Sequence, residues 1–503
     1  MVKLSRDSGR KTGLAMMSIL VAAVFAITWA VPAGRAFPEA PMRVATEGMA
    51  ASEHMQRQVE LSQRLAGELP HAAQRAAIRI ELTPAEIASI DEGSRYATPL
   101  KIGLVRPMTP AIQIDGLVSD RSGRQPLRGA AGLAERTQDG GFVWAAIVTS
   151  AETGAIRLHI ENLSLPDNAE LYLYSLDGQA HGPYTGDGPN GTGEFWTPTI
   201  FGPEAILQVR VSSPGGEDAL RAVSFDLSEV GVITRSFVEG LRPPQKVPAA
   251  PPPPGWPCGN AVCIEDATCH NGTPADPAKL AVAKMEWIQG AFIYTCTGGL
   301  ISDNNPTQSN FFLTANHCVS KNNSAQNINF YWRFATDSCE TTNECPDNGG
   351  WPFQTSGSTV SKTGRKGDFT LLHLNSNPPA GSVFLGWTSA PVANTNGADL
   401  WRISNPGFGP QVYSQHDVDT AVGTCSGWPR GERIYSRDIA GAIDGGSSGS
   451  PVVNSSSQIV GQLSGTCGFN PGQVCSSGPG EDNATVDGAF AFYFALVAPF
   501  LNP

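Results

Sequence analysis

The amino-acid sequence predicts a largely β protein in two parts, an all-β second half behind a first half that combines helices with a β-sandwich. Residues 258–503 consist of short apolar segments separated by turns, and their length is that of a pair of barrels. In the first half, apolar residues change near residue 140 from helical spacing to alternation. Successive prolines in residues 243–257 hold the chain extended, which predicts a linker between the two parts.

Two different sequence patterns in the first half, residues 37–242, predict its helices and its β-sandwich. In residues 46–92, apolar residues recur at roughly helical spacing, and Pro70 interrupts the pattern, so one or two amphipathic helices are expected. From Ile156 to Glu161, apolar and polar residues alternate, as they do in a strand with one buried face. Several such segments with glycine-rich turns between them predict a small β-sandwich.

The second half is predicted to contain many short strands and no long helix. A continuous apolar segment bounded by turn residues is the main signal for each strand. The segments are Ala291–Thr297, Phe311–Thr314, Ile328–Phe334, Asp368–Leu374, Ile459–Leu463 and Ala489–Phe494.

Composition narrows the class of protein. The chain has 503 residues, of which 41% are hydrophobic and 16% charged, so it is long enough to bury substantial cores. Its formal net charge of −12 argues against nucleic acid and anionic membranes as partners. The cysteines lack the paired Cys-x-x-Cys spacing of structural zinc sites, and no metal or other cofactor is expected.

The N-terminus has the features of an export signal. Basic residues up to Lys11 precede the apolar run Leu14–Val31, and small residues follow at Gly34 and Ala36. This pattern predicts a signal peptide over residues 1–36 and a secreted protein, extracellular or periplasmic; a membrane anchor is the alternative. All ten cysteines lie in the second half, and an even count behind an export signal predicts disulfides there.

Three motifs in the second half point to nucleophilic catalysis. The stretch Gly446–Pro451, with the sequence GSSGSP, places Ser448 on a glycine-flanked turn where backbone N–H groups can converge beside its hydroxyl. A serine needs a histidine to take its proton and a carboxylate to orient that histidine. His317 follows the apolar run Phe311–Leu313, and Asp368 begins a β-like segment, so both partners precede the serine.

These motifs resemble those of chymotrypsin-like serine peptidases, most closely the bacterial lysyl endopeptidases. The order His, Asp, Ser is that of chymotrypsin, and the resemblance covers about residues 258–503. It implies two six-stranded-type antiparallel β-barrels and a serine endopeptidase that acts on polypeptides. The matching segments are Cys296–Ile301, Phe312–Cys318, Thr355–Val360, Asp368–Leu372, Gly446–Pro451 and Gly461–Leu463.

The resemblance also implies a role for individual residues. His317 would be the general base and acid, Asp368 its orienting carboxylate, and Ser448 the nucleophile. The N–H groups of Gly446 and Ser448 would form the oxyanion hole. The extended substrate would pair with the strand that carries Ser464, Gly465 and Thr466.

Several positions depart from the family pattern. Ser447 stands where trypsin-like zymogens have the aspartate that receives the new N-terminal ammonium, so latency would have to come from occlusion of the cleft. Ala442 stands six residues before the nucleophile, and Thr485 aligns near the lysine-binding aspartate of lysyl endopeptidases. Asp487 lies on the same strand face as Thr485 and is a candidate for the pocket. Ser464 replaces a histidine, and the residue preferred before the cleaved bond is not predicted.

The resemblance further implies a set of disulfides. Cys296 would pair with Cys318, Cys258 with Cys467, and Cys263 with Cys339. Two further bridges remain, for which Cys269–Cys345 and Cys425–Cys475 are the expected pairs, although Cys475 and Cys467 could exchange roles.

Two functional interpretations stay open. The favoured one is a secreted serine endopeptidase made as a precursor, with residues 37–242 as a pro-region that masks the cleft. An accessory exosite or carbohydrate-binding module is the alternative for that region. For the whole chain, the alternative is a catalytically silent binding protein on a peptidase fold.

Overall fold

The computed structural model describes residues 37–70, 73, 77–94, 98–115, 132–212, 216–235, 261, 263–336, 338–339, 352–407 and 409–501. The predicted signal peptide at residues 1–36 and the predicted linker at residues 243–257 lie outside the described residues. No helix in these ranges combines the length and apolar character that crossing a membrane requires.

The first half begins with short strands and helices and continues with longer strands. Its helices are α1 (Ala51–Gly67), α2 (Pro84–Ser94) and α3 (Gly216–Ala222). Its strands are β1 (Glu39–Ala40), β2 (Arg43–Val44), β3 (Ile78–Arg79), β4 (Leu100–Asp115), β5 (Leu133–Arg136), β6 (Phe142–Thr149), β7 (Thr153–Ser164), β8 (Ala169–Tyr174), β9 (Ala180–Tyr184), β10 (Phe195–Trp196), β11 (Ile200–Phe201), β12 (Glu204–Val211) and β13 (Ser224–Thr234).

These strands form the predicted β-sandwich. One sheet has the order β3-β6-β12-β8-β9, and the facing sheet contains β7, β13 and β4. Side chains from both sheets, such as Trp144, Leu158 and Val230, are buried in a single apolar cluster. Along β7, the apolar residues that face this cluster alternate with Arg157 and His159, as the sequence pattern predicted, but the opposite face of β7 is buried as well.

The second half contains sixteen strands within the described ranges, together with three helices. The helices are α4 (Asp276–Lys279), α5 (Asn322–Ala325) and α6 (Phe490–Leu501). The strands are β14 (Glu265–Asp266), β15 (Val282–Gln289), β16 (Phe292–Leu300), β17 (Phe311–Ala315), β18 (Asn329–Trp332), β19 (Phe353–Ser356), β20 (Ser358–Gly364), β21 (Phe369–Leu374), β22 (Val383–Phe384), β23 (Trp387–Thr388), β24 (Asp399–Ser404), β25 (Val412–Val418), β26 (Arg433–Gly441), β27 (Pro451–Val453), β28 (Ile459–Cys467) and β29 (Ala484–Ala489).

The strands of the second half build two antiparallel barrels. In the second barrel, the order β27-β24-β25-β26-β29-β28 closes because β28 also pairs with β27. In the first barrel, the order is β19-β18-β15-β16-β17-β21-β20, which stays open between its end strands in the described residues. A closed six-stranded barrel beside a half-barrel confirms the predicted chymotrypsin-like fold class.

The C-terminal segment differs from its prediction. The sequence predicts a strand over Ala489–Phe494, but β29 ends at Ala489 and α6 begins at Phe490. The helix is apolar along most of its length, and periodicity alone does not distinguish a short apolar strand from a buried helix. Phe490, Tyr493 and Val497 are buried at helical spacing against the core of the second half.

Four disulfides lie among the described residues, all of them in the second half. The Cys296–Cys318 bridge has the pairing that the resemblance implies. The others join Cys263 to Cys475, Cys269 to Cys339 and Cys425 to Cys467.

The pairings Cys258–Cys467, Cys263–Cys339, Cys269–Cys345 and Cys425–Cys475 are wrong. The alternative in which Cys475 and Cys467 exchange roles is right for Cys425, which pairs with Cys467, but Cys475 pairs with Cys263. The loop after β25 folds over the end of β28, so that Cys425 and Cys467 pack in one cluster with a Cα–Cα distance of 6.0 Å. Cys263 lies beside Val474, which brings its Cα within 5.6 Å of that of Cys475. Both distances are within the span of a disulfide. Cys258 and Cys345 lie outside the described residues.

The two halves share a sheet. The edge strand β4 of the sandwich pairs antiparallel with β16 of the first barrel, so the sheet runs from β7 through β13 and β4 into β16. Beside this junction, Arg157 and Glu286 form an ion pair in which both side chains are fully buried. Thr199 and Tyr331 also donate hydrogen bonds to the Glu286 carboxylate.

Candidate active site

His317 and Asp368 are brought together by two paired strands. β17 ends two residues before His317, β21 begins one residue after Asp368, and the two strands pair with Ala315 opposite Phe369. His317 Nδ1 lies 2.8 Å from Asp368 Oδ2, and the backbone N–H of His317 donates to Asp368 Oδ1 at 3.0 Å. Both carboxylate oxygens therefore hold the histidine, one through its ring and one through its backbone.

The backbone around Asp368 is held in an uncommon conformation. Asp368 has φ of 52°, which is the left-handed region that non-glycine residues rarely adopt. The buried Gln462 amide on β28 donates to the carbonyls of Gly367 and Asp368, each at 2.9 Å. The Tyr493 hydroxyl on α6 in turn donates to Gln462. These contacts fix the position from which the Asp368 carboxylate reaches His317.

Ser448 lies on a turn between two glycines with positive φ, 97° at Gly446 and 83° at Gly449. A Cβ atom at Gly449 would lie 2.2 Å from Thr314 Oγ1, so only glycine allows the turn to approach β17. The Ser448 carbonyl accepts a hydrogen bond from the Thr297 N–H at 2.8 Å and lies 3.7 Å from Cys318 Sγ. The turn is therefore attached directly beside His317.

The structure does not contain a hydrogen bond between the side chains of Ser448 and His317. His317 Nε2 is buried and has no hydrogen-bond partner within the described residues, whereas Ser448 is half-buried. Catalytic hydrogen bonds are often long or poorly aligned before substrate binds. Two of the three expected triad members are thus joined, and the third lies on the adjacent turn.

The two amides expected to form an oxyanion hole have no acceptor. In the described part of the chain, neither the Gly446 N–H nor the Ser448 N–H donates to a protein group. The loop is held instead through carbonyls: Thr297 Oγ1 donates to Gly446 at 2.8 Å, and the Gly407 N–H donates to Gly445 at 2.6 Å. Such donors can bind a developing negative charge.

Ser447, at the position of the zymogen aspartate, bonds within the second barrel. Ser447 is buried, and the Ser404 hydroxyl donates to its Oγ at 3.0 Å. The Asp444 N–H also reaches the Ser447 hydroxyl at 3.4 Å. A neutral serine in this position offers no carboxylate to a new N-terminal ammonium, in agreement with the sequence.

Sequence reasoning missed a buried lysine behind the oxyanion loop. Lys284 on β15 is fully buried, and its ammonium donates to the Gly407 carbonyl. Burial lowers the pKa of Lys284 to about 7, and the nearby Glu286 carboxylate opposes that change. Since Gly407 also bonds Gly445, Lys284 is connected through one residue to the oxyanion loop. The only signal in the sequence is a lysine two residues before Glu286 in a strand whose other residues are mostly apolar.

The residues expected to bind substrate do not share one environment. The Ser464 hydroxyl is buried without a partner, and Thr466 donates to the Pro471 carbonyl at 2.9 Å. Gly465 lies beside Trp428, with a Cβ position 3.8 Å from that ring. Ala442 is buried in an apolar cluster with Ile264 and Val412. β28 reaches the nucleophile through the Gly449 N–H, which donates to the Leu463 carbonyl at 2.9 Å.

Asp487 is fully buried and forms an ion pair with Arg402. Burial raises the pKa of the Asp487 carboxyl, and the Arg402 guanidinium opposes that rise. A different carboxylate stands beside Thr485: the Thr485 hydroxyl donates to Asp438 Oδ1 at 2.7 Å, and Asp438 Oδ2 is buried without a partner. Asp438 was not predicted, because 47 residues separate it from Thr485 in the sequence.

The fold and this site define the class as a chymotrypsin-like serine peptidase. Residues 259–476 match the family model "Lysyl endopeptidase, C-terminal domain". The chain is also 27% identical over 367 residues to a lysyl endopeptidase of Pseudomonas aeruginosa, covering 70% of this chain and 71% of that protein. These matches confirm the predicted resemblance of the chain to the lysyl endopeptidases.

Two of the similar solved structures are proteases. The active form of the Rv3671c protease from M. tuberculosis has 17% identity and a TM-score of 0.31, over 50% of this chain and 92% of that one. An HtrA-type protease AlgW variant with a tripeptide has 15% identity and a TM-score of 0.32, over 46% of this chain and 62% of that one.

Proposed function

We propose that this chain is the precursor of a secreted serine endopeptidase that hydrolyses peptide bonds through Ser448, His317 and Asp368. The observation that carries the proposal is the 2.8 Å contact between His317 and Asp368 beside the glycine-flanked serine. A carboxylate on Nδ1 selects the tautomer in which Nε2 is free to take a proton.

In the proposed reaction, Ser448 Oγ attacks the carbonyl carbon of the peptide bond while His317 Nε2 accepts the hydroxyl proton. The N–H groups of Gly446 and Ser448 donate to the oxyanion that forms. His317 then gives the proton to the amine nitrogen, the carbon–nitrogen bond breaks, and an acyl-enzyme remains. A water molecule deprotonated by His317 releases the acyl group as a carboxylic acid and regenerates Ser448.

Residues 37–242 are proposed to be a pro-region that binds the peptidase in the same chain. The pairing of β4 with β16 and the buried Arg157–Glu286 pair support this proposal, because they join the sandwich to the first barrel. An ion pair that excludes water on both sides indicates a close-fitting interface. An accessory binding module is the alternative, and it would leave the peptidase active while attached.

The proposed location is extracellular or periplasmic. Disulfides persist in oxidising compartments, and four lie among the described residues behind the predicted export signal. No membrane attachment is expected after cleavage of the signal, and polypeptides are the proposed substrates. The buried, unpartnered oxygen of Asp438 beside Thr485 supports a basic residue before the cleaved bond.

A fluorophosphonate label tests the proposed chemistry. The second half, released by a cleavage site placed in residues 243–257, should react covalently at Ser448, and Ser448→Ala should not react. A Ser450→Ala variant is the control, because Ser450 lies in the same turn but is buried. A folded, released protein that is not labelled would favour the catalytically silent binding protein.

A further inference from the structure

We propose that β4 is a built-in inhibitor that fills the leaving-group side of the catalytic cleft and leaves the acyl side accessible. The stretch Thr98–Lys101, at the start of this strand, is its reactive end. This inference rests on the proposed serine peptidase function and specifies how the first half would keep it latent.

The register of β4 places its first residue at the catalytic histidine. Leu100 pairs with Thr295, Lys101 with Tyr294 and Leu104 with Phe292, so β4 runs away from the site as it continues. Thr295 directly precedes Cys296, whose disulfide partner Cys318 is the neighbour of His317. Of the described residues at this end of β4, Thr98 and Pro99 therefore lie closest to the position of the reacting bond.

Side chains at the start of β4 contact the turn that carries Ser448 and the neighbouring strand β16. Leu100 is buried, with 8% of its surface exposed, and a Cβ atom at Gly445 would lie 3.2 Å from Leu100 Cδ1. Gly445 belongs to the turn that carries Ser448. The Lys101 ammonium lies 3.9 Å from the centre of the Phe292 ring, a cation–π contact that fixes the next residue. A cavity of about 290 Å³ is lined by Thr98, Pro99, Lys101, Gln289, Tyr294 and His317.

The acyl side of the cleft, where residues before the cleaved bond bind, is formed by other strands. Residues before the cleaved bond are expected to pair with Ser464–Thr466 on β28, and within the described residues β28 pairs with β23, β27 and β29. None of these three strands belongs to residues 37–242. Residues after the cleaved bond must leave on the opposite side of Ser448 and His317, which is where β4 lies. Strand pairing is a common way for a peptidase to hold extended polypeptide, and here the strand comes from the same chain.

The sandwich anchors β4 on its other edge. Gly103 pairs with Ile233 and Leu104 with Val232 of β13. If β4 separated from β16 by itself, it would also have to break its pairing with β13 in the sandwich sheet. Arg157, on the next strand, is held in the second half by Glu286 and by the Asn327 carbonyl at 2.9 Å. Attachment within one chain keeps the effective concentration of β4 at the cleft high.

This arrangement predicts a difference between small and extended reagents. A fluorophosphonate has no residues on the leaving-group side, so the intact chain should react with it within about threefold of the rate of the released second half. A peptide with four residues after the cleaved bond should be hydrolysed by the intact chain at least 100-fold more slowly than by the released second half. Both measurements use freshly purified intact chain, with gel analysis to confirm that it is uncleaved.

The variant Leu100→Asp tests the contact itself. A carboxylate against Gly445 should raise cleavage of the extended peptide by the intact chain at least tenfold and leave labelling unchanged. Leu176→Asp is the control, because Leu176 lies in the same sandwich but is 51% exposed. If Leu100→Asp does not fold, the comparison of small and extended reagents on the unaltered chain still decides the proposal.

Each outcome has a distinct meaning. Labelling of the released half but not of the intact chain would show that the acyl side is also closed and would overturn this inference. Equal cleavage of the extended peptide by both forms would overturn it as well. Absence of labelling in both forms would instead contradict the proposed peptidase function.

Discussion

The two halves of this chain are stabilised by different means. In the described residues, all four disulfides lie in the second half, and the one between Cys263 and Cys475 has the largest sequence separation, 212 residues. The first half has no cysteine and depends on the apolar cluster between its two sheets. Contacts between the halves include three strand pairings, β4 with β16, β1 with β23 and β2 with β22, and a buried polar network around Arg157 and Glu286. The difference is consistent with the proposal that a disulfide-stabilised peptidase is attached to a removable pro-region.

The largest expected effect is the loss of activity when a residue of the proposed triad in the second half is replaced. In the released second half, Ser448→Ala and His317→Ala should each lower kcat on the order of 10⁶-fold, because the three residues act as one unit. The double variant should lose little more than either single one. Hydrolysis of a chromogenic peptide ester measures the rates, and additive losses would contradict a shared triad.

The next effect concerns the junction between the halves. Arg157→Met leaves the buried Glu286 carboxylate without its cation, which should lower the free energy of unfolding of the intact chain by about 3–5 kcal/mol. Denaturant unfolding measures this loss. The double variant Arg157→Met/Glu286→Gln should recover part of it, because the Glu286 charge is removed as well, while the buried Lys284 loses its nearby carboxylate. If the double variant is as unstable as the single one, the ion pair is not what joins the halves.

Sequence motifs predicted the parts of the fold and site that depend on local pattern. Alternation predicted the sandwich, and the motifs around His317, Asp368 and Ser448, in the order found in chymotrypsin, predicted that the three residues form one site. Glycines at 446 and 449 were interpretable because their backbone conformation is needed where they stand. Each of these inferences uses neighbours in the chain.

Features that depend on distant contacts were not predictable. The choice of Cys467 over Cys475 as the partner of Cys425 depends on a loop that crosses the end of β28, and sequence spacing left both partners open. The junction of β4 with β16 joins edges of two sheets, and any half-apolar strand could occupy that position. Lys284 acts through the Gly407 carbonyl, a backbone group that no motif reveals.

A third effect concerns the covalent framework of the second half. Replacing Cys296 and Cys318 by alanine opens a loop with a sequence separation of 22 residues. On the chain-entropy estimate, the free energy of unfolding should fall by about 3 kcal/mol. The released second half is the protein to measure, with denaturant unfolding as the readout. An unchanged midpoint would mean that packing around His317 alone maintains this part of the barrel.

A smaller effect concerns the lysine behind the oxyanion loop. In the released second half, Lys284→Met removes the hydrogen bond to Gly407 but keeps the buried volume, so kcat should fall roughly tenfold with KM unchanged. Loss of a direct oxyanion donor costs more, about 10²–10³-fold. The affinity of a peptide aldehyde should fall by the same factor as kcat, because both report binding of the oxyanion. Lys279→Met, whose ammonium bonds the His270 carbonyl away from the site, is the control.

The last comparison concerns two histidines where the first half meets the second. His54 on α1 stacks on Phe353 of β19, with ring centres 4.0 Å apart, and His181 on β9 lies near His54. Burial lowers the pKa of both histidines, that of His181 to about 3, to which His54 also contributes. The Nε2 atoms of both rings are buried without a hydrogen-bond partner in the described residues. Both imidazoles are therefore neutral at pH 7 in the intact chain.

Acidification should weaken this contact, because a histidine whose pKa is lower in the folded than in the unfolded state opposes folding once protons become available. Stability should be constant above the unfolded pKa of about 6.5 and fall as the pH drops toward the folded value. The unfolding midpoint of the intact chain should thus decrease between pH 7.5 and pH 5, and His54→Gln/His181→Gln should flatten that decrease. The released second half contains neither histidine, so its midpoint should change less over the same range. A double variant with the same pH dependence as the unaltered chain would assign the loss to other groups.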